Sequence, residues 1–510
     1  MSLDLSDLHA AVHSVDSLFA TRASELHAPS ASYGIFTRDG LVHTGSTGEV
    51  AGRPPTPDTI YRIASCTKSF TATALLALRD AGSLDLDAPV TDFVPAFGDV
   101  ILPTDDSSVP TVRMLMTMSA GLPTDDPWGD RQESISDDDL DALLRRGLRF
   151  DSVPGTRFAY SNLGYALLGR VVTVAAGRPY RDVVGETILT PLGLDSTGFT
   201  RPEGIDDRVA VGHRRLDDAW EPLPFSGPGV FSSIGGLFST VNDLARWAGW
   251  LAAAFDDRSE PARSDTSTGH DDILSRASRR ELQQLSRFVP ALATQPSGYG
   301  FGLFVEQQPE FGEIVSHSGG YPGFSAHMRW HPASGLGIVA FENATYAQVS
   351  VPAATALLGM LHEVQAEPTV EVWAETLRAK ALVENALHGD ELPGELVSEN
   401  VGLDVPWKNR RAAWAAAIHD IGGIDDENSE GGGRARPGAL GPRKAADAIA
   451  VGPRAPLVPI DADRGEESAA PSHLVWHLPG HTGRLRVEIR LTPESPPRIQ
   501  TLNVRAAPPG

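Results

Sequence analysis

The chain has 510 residues, 41 % of them hydrophobic, and sets 43 Lys plus Arg against 66 Asp plus Glu, a formal net charge of −23. Length and composition describe a folded globular protein of several domains, and the negative balance excludes nucleic acid and anionic membrane surfaces as partners. A single cysteine, Cys66, excludes an internal disulfide. The first residues, Met1-Ser2-Leu3-Asp4-Leu5, carry neither a basic start nor an apolar stretch, and no run reaches membrane-spanning length. The expectation is therefore a soluble cytoplasmic protein.

In chain order, residues 4–28 alternate at helical spacing, and Ser32 to Phe36 with Leu41 to Thr44 reads as a hairpin about Asp39-Gly40. A buried helix begins near Ser65. Further helices are expected over 112–118, 138–146, 162–176 and 180–189, with an amphipathic one over 240–255. Residues 256–272 are polar and read as a surface insertion. Strands follow over 299–306, 313–318, 324–330 and 336–342, with Gly319 to Gly323 as a turn, and 351–364 closes the region as a helix.

The order predicts an α+β domain over residues 1–365, an antiparallel sheet flanked by helices and completed by both ends of the domain, with an inserted helical lobe. Residues 366–510 read as a small accessory α+β module. It has helices over 372–387 and 409–418, a hairpin about Gly480-His481-Thr482-Gly483 and a strand over 499–504. A Gly-, Pro- and Arg-rich linker-like segment spans 427–467.

The chemistry is concentrated in Ser65-Cys66-Thr67-Lys68. Residues three apart on a helix share a face, so the hydroxyl and the amine point into one space. A serine hydroxyl needs a base to become a nucleophile, and lysine serves as one when burial or neighbouring positive charge lowers its pKa. Only four lysines occur in the chain, Lys68, Lys380, Lys408 and Lys444, and an arginine at position 68 could not give up a proton. Cys66 points about 100° away from Ser65 on a helix and reads as a small buried residue. Two further motifs lie downstream: Tyr160-Ser161-Asn162 before a helix, and His317-Ser318-Gly319 at the end of a strand.

These three motifs, in this order, resemble those of the serine β-lactamase and penicillin-binding-protein superfamily. The branch most resembled holds class C β-lactamases, D-Ala-D-Ala carboxypeptidases, D-aminopeptidases and β-lactamase-like esterases. Leu84-Asp85-Leu86-Asp87-Ala88-Pro89-Val90, Met116 to Leu122 and Gly235 to Thr240 are family-like phrases as well, and the resemblance covers about residues 5–365. It implies Ser65 as nucleophile, Lys68 sharing or removing its proton, and Tyr160 acting with Lys68 as base and then as acid to the leaving group. It also implies an oxyanion hole from the backbone N–H groups of Ser65 and Gly320. Asn162, His317, Ser318 and Gly319 would meet the substrate, Asn162 either holding its amide or orienting Lys68. The nearby Lys68 is expected to lower the Tyr160 pKa.

The family's β-lactamases place lysine where this chain has His317, a mostly neutral side chain at pH 7. The expectation is a serine hydrolase acting through an acyl-enzyme on small esters or amides, with no cofactor and no metal. The alternatives are a D-amino-acid-specific peptidase, a carboxypeptidase or weak β-lactamase acting on a short peptide or lactam, and, from another class, an inactive homologue serving as a binding protein. Asp125-Asp126 reads as a pair of solvated loop or helix-start charges, and Trp247 and Trp250 as core.

Overall fold

A computed structural model describes residues 8–256, 270–290, 296–364, 366, 370–425, 457–461 and 465–507. The chain divides into two compact units, Met1–Glu367 and Pro368–Gly510, against an expected boundary after residue 365. In the first unit eight strands form one antiparallel sheet: β1 (Ser30–Thr37), β2 (Gly40–Gly48), β3 (Arg287–Val289), β4 (Ser297–Tyr299), β5 (Phe304–Gln308), β6 (Gly312–Tyr321), β7 (Phe324–Trp330) and β8 (Gly337–Glu342). Their order across the sheet is β2-β1-β8-β7-β6-β5-β4-β3, so the N-terminal hairpin joins the C-terminal meander through β1 and β8.

Side chains alternate across each strand, and both faces are covered. Ile35, Ile314, Ile338 and Ala340 pack against α1 (His9–Ser24) and a closing helix, Ser350–Glu363, with Phe19 stacked on Tyr33 at 4.0 Å. On the other face Val315, Met328, Trp330, Val339 and Phe341 join one continuous core with α2 (Thr67–Asp80), α3 (Asn162–Ala176) and α4 (Val241–Ala252). Trp247 and Trp250 sit in that core, Trp247 stacked on Phe70 at 3.8 Å. The helical lobe is the chain between α2 and α4.

The expected strand over 299–306 is interrupted. Gly300 to Leu303 turns between β4 and β5, with Gly302 at φ +74°, because this turn packs against the Lys68 carbonyl. The expected turn at Gly319-Gly320 is instead strand: β6 runs to Tyr321, with Gly319 opposite Ala326 and Gly320 opposite Ser325. The glycines serve close approach, since a Cβ at Gly319 would lie 2.3 Å from the Ile63 carbonyl oxygen. Of the expected insertion at 256–272, residues 257–269 lie outside the described residues.

The second unit pairs five antiparallel strands in sequence order, from Val458–Asp461 to Ile499–Ala507, with helices Ala374–Leu387, Glu399–Asp404 and Trp407–Asp420. Their shared core includes Trp414, Trp476, Leu485 and Val487. Most of the expected linker, residues 427–456 and 462–464, lies outside the described residues. Its remainder is corrected: Val458–Asp461 and Glu466–Ser468 are paired strands.

The approach of β6 to the Ser65 turn gives a first prediction. Gly319→Ala forces backbone atoms apart, and overpacking of this kind costs about 1–3 kcal/mol. A lowered melting temperature is expected, with loss of hydrolytic activity measured well below the new melting point.

Candidate active site

Ser65 lies in a tight 3-10 turn, Ala64–Cys66, that runs straight into α2, rather than on the first α-helical turn. Ala64 takes a left-handed φ of +47° to make the entry. The side chain of Lys68, one turn on, is fully buried beneath Ser65. Its Nζ lies 2.9 Å from Ser65 Oγ, 2.7 Å from Asn162 Oδ1 and 2.8 Å from the Ile234 carbonyl oxygen. Burial drives the lysine pKa down to about 8, against the upward pull of Asp126, Asp130 and Asp125. Two of the three oxygens around Nζ, the Asn162 amide and the Ile234 carbonyl, have no proton to give. A neutral amine therefore donates its two hydrogens to them and keeps its lone pair for the Ser65 hydroxyl.

Asn162 is not the helix cap. Ser161 caps α3, its Oγ accepting from the Gly164 N–H at 3.2 Å, and this turns the Asn162 side chain onto Lys68. Tyr160, half-buried, shares a hydrogen bond with Ser65, and its ring centroid lies 5.0 Å from Lys68 Nζ. Its pKa is pushed well up, first by burial and then by the Asp126 charge. The expected lowering by Lys68 does not prevail, because desolvation of a phenolate and the Asp126 charge outweigh one nearby cation.

His317 is buried with both ring nitrogens engaged. Nδ1 donates to the Ser318 carbonyl oxygen at 2.6 Å, so Nε2 of the neutral ring accepts from the Tyr299 hydroxyl at 3.2 Å. Burial, then the nearby Lys68, pushes its pKa down to about 3, so the ring carries no charge at neutral pH. Gly319 backs onto Ile63 and Ala64, and Gly320 lies under the Tyr346 ring. The Ser318 side chain is on the opposite face of β6, bonded to His327 Nδ1 at 2.9 Å. The structure thus gathers Ser65, Lys68, Tyr160, Asn162, His317 and Gly319 about one point, with Gly320 next along the strand. Ser318, between His317 and Gly319, is exposed.

The short helix Asp126–Gly129, flanked by Asp125 and Asp130, belongs to the same site. The helix-start reading of Asp125-Asp126 holds and Asp126 is exposed, while the bonds of both to Asn162 were not part of that reading. Asp125 accepts from the backbone N–H groups of Asn162 at 2.6 Å and Leu163 at 2.9 Å. Asp126 Oδ1 accepts from Asn162 Nδ2 at 2.9 Å. Buried Asp130 accepts from the Tyr346 hydroxyl at 2.8 Å, and burial raises its pKa. The available signal was the crowding of three aspartates, with Pro127 and Gly129 between them, into six residues ahead of the Tyr-x-Asn motif. Among the described residues no cluster of side chains could hold a metal ion, and no helix is long and apolar enough to cross a membrane.

Cys66 is fully buried, its Sγ–H donating to the His317 carbonyl oxygen, and burial pushes its thiol pKa up to about 12. An aromatic thiol reagent at pH 8 should leave the native protein untouched and titrate one thiol after unfolding in guanidinium, read by absorbance.

The profile of the Beta-lactamase family matches residues 15–359. A D-alanyl-D-alanine-carboxypeptidase/endopeptidase, AmpH, of Escherichia coli is 30 % identical over 56 % of this chain and 70 % of its own. Esterase EstB of Burkholderia gladioli is 30 % identical over 61 % of this chain and 84 % of its own. Among solved structures, the octameric penicillin-binding protein homologue from Pyrococcus abyssi shares the fold at TM-score 0.59 and 22 % identity, covering 94 % of this chain and 96 % of that one. The family match spans well over half of the chain, and the chain belongs to the Beta-lactamase family of serine hydrolases.

Proposed function

We propose that this enzyme hydrolyses small neutral esters or amides through an acyl-enzyme on Ser65. The observation that carries the reading is the buried Lys68 Nζ, 2.9 Å from Ser65 Oγ while Asn162 Oδ1 and the Ile234 carbonyl oxygen accept its other hydrogens. Neutral Lys68 takes the Ser65 proton as Oγ attacks the substrate carbonyl. The developing oxyanion is received by the backbone N–H groups of Ser65 and Gly320, rigid donors suited to charge that appears only in the transition state. Tyr160, kept protonated by its raised pKa, gives its proton to the leaving group and recovers one from Lys68. Water then attacks the acyl-enzyme by the reverse route.

The substrate preference follows from charge. His317 is neutral and already bonded on both nitrogens, and Lys68 is faced by Asp125, Asp126 and Asp130. Neither His317 nor Lys68 therefore offers a substrate carboxylate a free cation. The same carboxylates favour the second reading, a peptidase for amides carrying a free ammonium group, such as D-amino-acid amides. An inactive binding protein is disfavoured by the complete hydrogen-bonded set around Lys68.

A fluorophosphonate probe is expected to label Ser65, and Ser65→Ala to lose both labelling and turnover of nitrophenyl acetate; labelling that persists in the alanine variant rules out the assignment. The base is the neutral amine, so activity rises with pH as Lys68 loses its proton, with a midpoint at about 8. Losing a charge-assisted bond to a carboxylate costs about 1.5–3 kcal/mol, so kcat/KM for a cephalosporin is expected to fall about ten- to a hundred-fold or more below that for a neutral ester. Parallel kinetics on the two substrates at pH 8 checks this.

A further inference from the structure

A chain of three hydrogen bonds runs from the 125–130 turn to the nucleophile. Asp126 Oδ1 accepts from Asn162 Nδ2 at 2.9 Å, Asn162 Oδ1 accepts from Lys68 Nζ at 2.7 Å, and Nζ meets Ser65 Oγ at 2.9 Å. The two ends of an amide group are nearly the same size and differ in what they do: the oxygen accepts, the nitrogen donates. With the nitrogen turned toward Lys68, two donors would face each other and the lysine would lose an acceptor. Nothing else bonded to the Asn162 side chain among the described residues selects between the two orientations; Lys68 favours the one observed, and Asp126 is the acceptor that locks it from the far side.

We propose that Asp126 is a positioning residue of this active site: its carboxylate fixes the Asn162 amide so that the amide oxygen, and not the nitrogen, holds Lys68 against Ser65. The inference rests on the reading of Ser65 and Lys68 given above. The surroundings are built for this contact. Gly129, three residues on, abuts Asn162 so closely that a Cβ there would lie 2.5 Å from the Asn162 Cβ. Asp125 binds the backbone N–H groups of Asn162 and Leu163, which pins the start of α3 to the same turn. Asp130 ties the turn's far end to Tyr346, whose ring covers Gly320. The turn therefore spans from the base to the strand that offers an oxyanion donor.

Asp126 has two separable effects on Lys68, orientation through Asn162 and charge through space. The other titratable groups that face Lys68 are Asp125 and Asp130 of the same turn, Cys66 on its own helix entry, Tyr160, Tyr165 of α3, and His317 of β6. All of these are kept in the test, so a change at position 126 reads Asp126 alone. Asp126→Ala removes acceptor and charge. Asp126→Asn removes the charge but keeps an acceptor oxygen for the Asn162 amide.

The experiment measures nitrophenyl acetate turnover and the rate of fluorophosphonate labelling against pH for the full chain, for both variants and for Ser65→Ala. Both Asp126 variants should move the acid limb to lower pH, because the negative charge that raised the Lys68 pKa is gone. Above the limb, Asp126→Ala should fall about ten-fold or more in kcat and in labelling rate, the scale of a lost hydrogen bond to a charged group, with KM changed less. Asp126→Asn should recover most of that plateau. An alanine plateau equal to wild type, or an asparagine plateau no higher than alanine, overturns the proposal. Should the alanine variant fail to melt cooperatively, Asp126→Ser, whose hydroxyl is too short to reach the amide, is read the same way. Labelling that survives Ser65→Ala would instead overturn the nucleophile assignment, so the two failures are distinct.

Discussion

The site depends on one buried amine. Lys68 has no contact with water, and each hydrogen or lone pair on its nitrogen must meet a protein oxygen. Burying a charged ammonium in such a place is costly, and the chain offsets that cost in two ways. It lowers the pKa so that the neutral form is within reach, and it sets three carboxylates near enough to keep the charged form accessible. Both forms are needed by the proposed role, in which Lys68 takes a proton and returns it. A residue that is always charged could not do this, so the lysine cannot be exchanged for the arginine this chain uses almost everywhere else.

Around that amine the protein removes side chains to bring backbones together. Gly319 lets β6 lie against Ile63 and Ala64, and Gly129 lets the aspartate turn lie against Asn162. The distances that matter for chemistry are a few tenths of an ångström wide, and a methyl group at either position would exceed them. This is why a strand end, a helix start and a loop turn, distant in sequence, meet at one point. The large aromatic core behind α2, with Phe70 on Trp247, resists any relaxation that would let them drift apart.

What could be read from the sequence follows from how local each signal is. The Ser65–Lys68 pair needs only helical spacing. The alternation in β7, the continuous apolar run of β8 and the long apolar stripe of α4 are signals within single elements, and the structure has those elements where they were expected. Gly319-Gly320 was read as a turn because glycine pairs usually are, whereas here the cause is a backbone from another part of the chain pressing on the strand. Ser318 is placed with the substrate by its motif; strand alternation sets its exposed side chain beside His327, a neighbour that the motif does not show. The Tyr160 pKa had the wrong expected sign because sequence shows the neighbouring lysine but not the burial or the charge of Asp126. Asp125 and Asp126 head a short helix, as one of the two readings had it, and Asp126 is exposed; nothing in their own segment shows that α3 starts against them.

The balance of charge gives the site its character. With a cation at the start of the third motif, the cleft would hold two positive groups and attract anionic substrates. Here that position is a buried, neutral imidazole whose two nitrogens are spent on Ser318 and Tyr299, and the remaining cation is compensated by three aspartates. Restoring a lysine at position 317 would not simply add a carboxylate anchor. It would remove the acceptor for the Tyr299 hydroxyl and place a second positive charge beside Lys68, lowering the Lys68 pKa further. Substrate charge and the proton affinity of the base are therefore set together, and a change in one at this position carries the other with it.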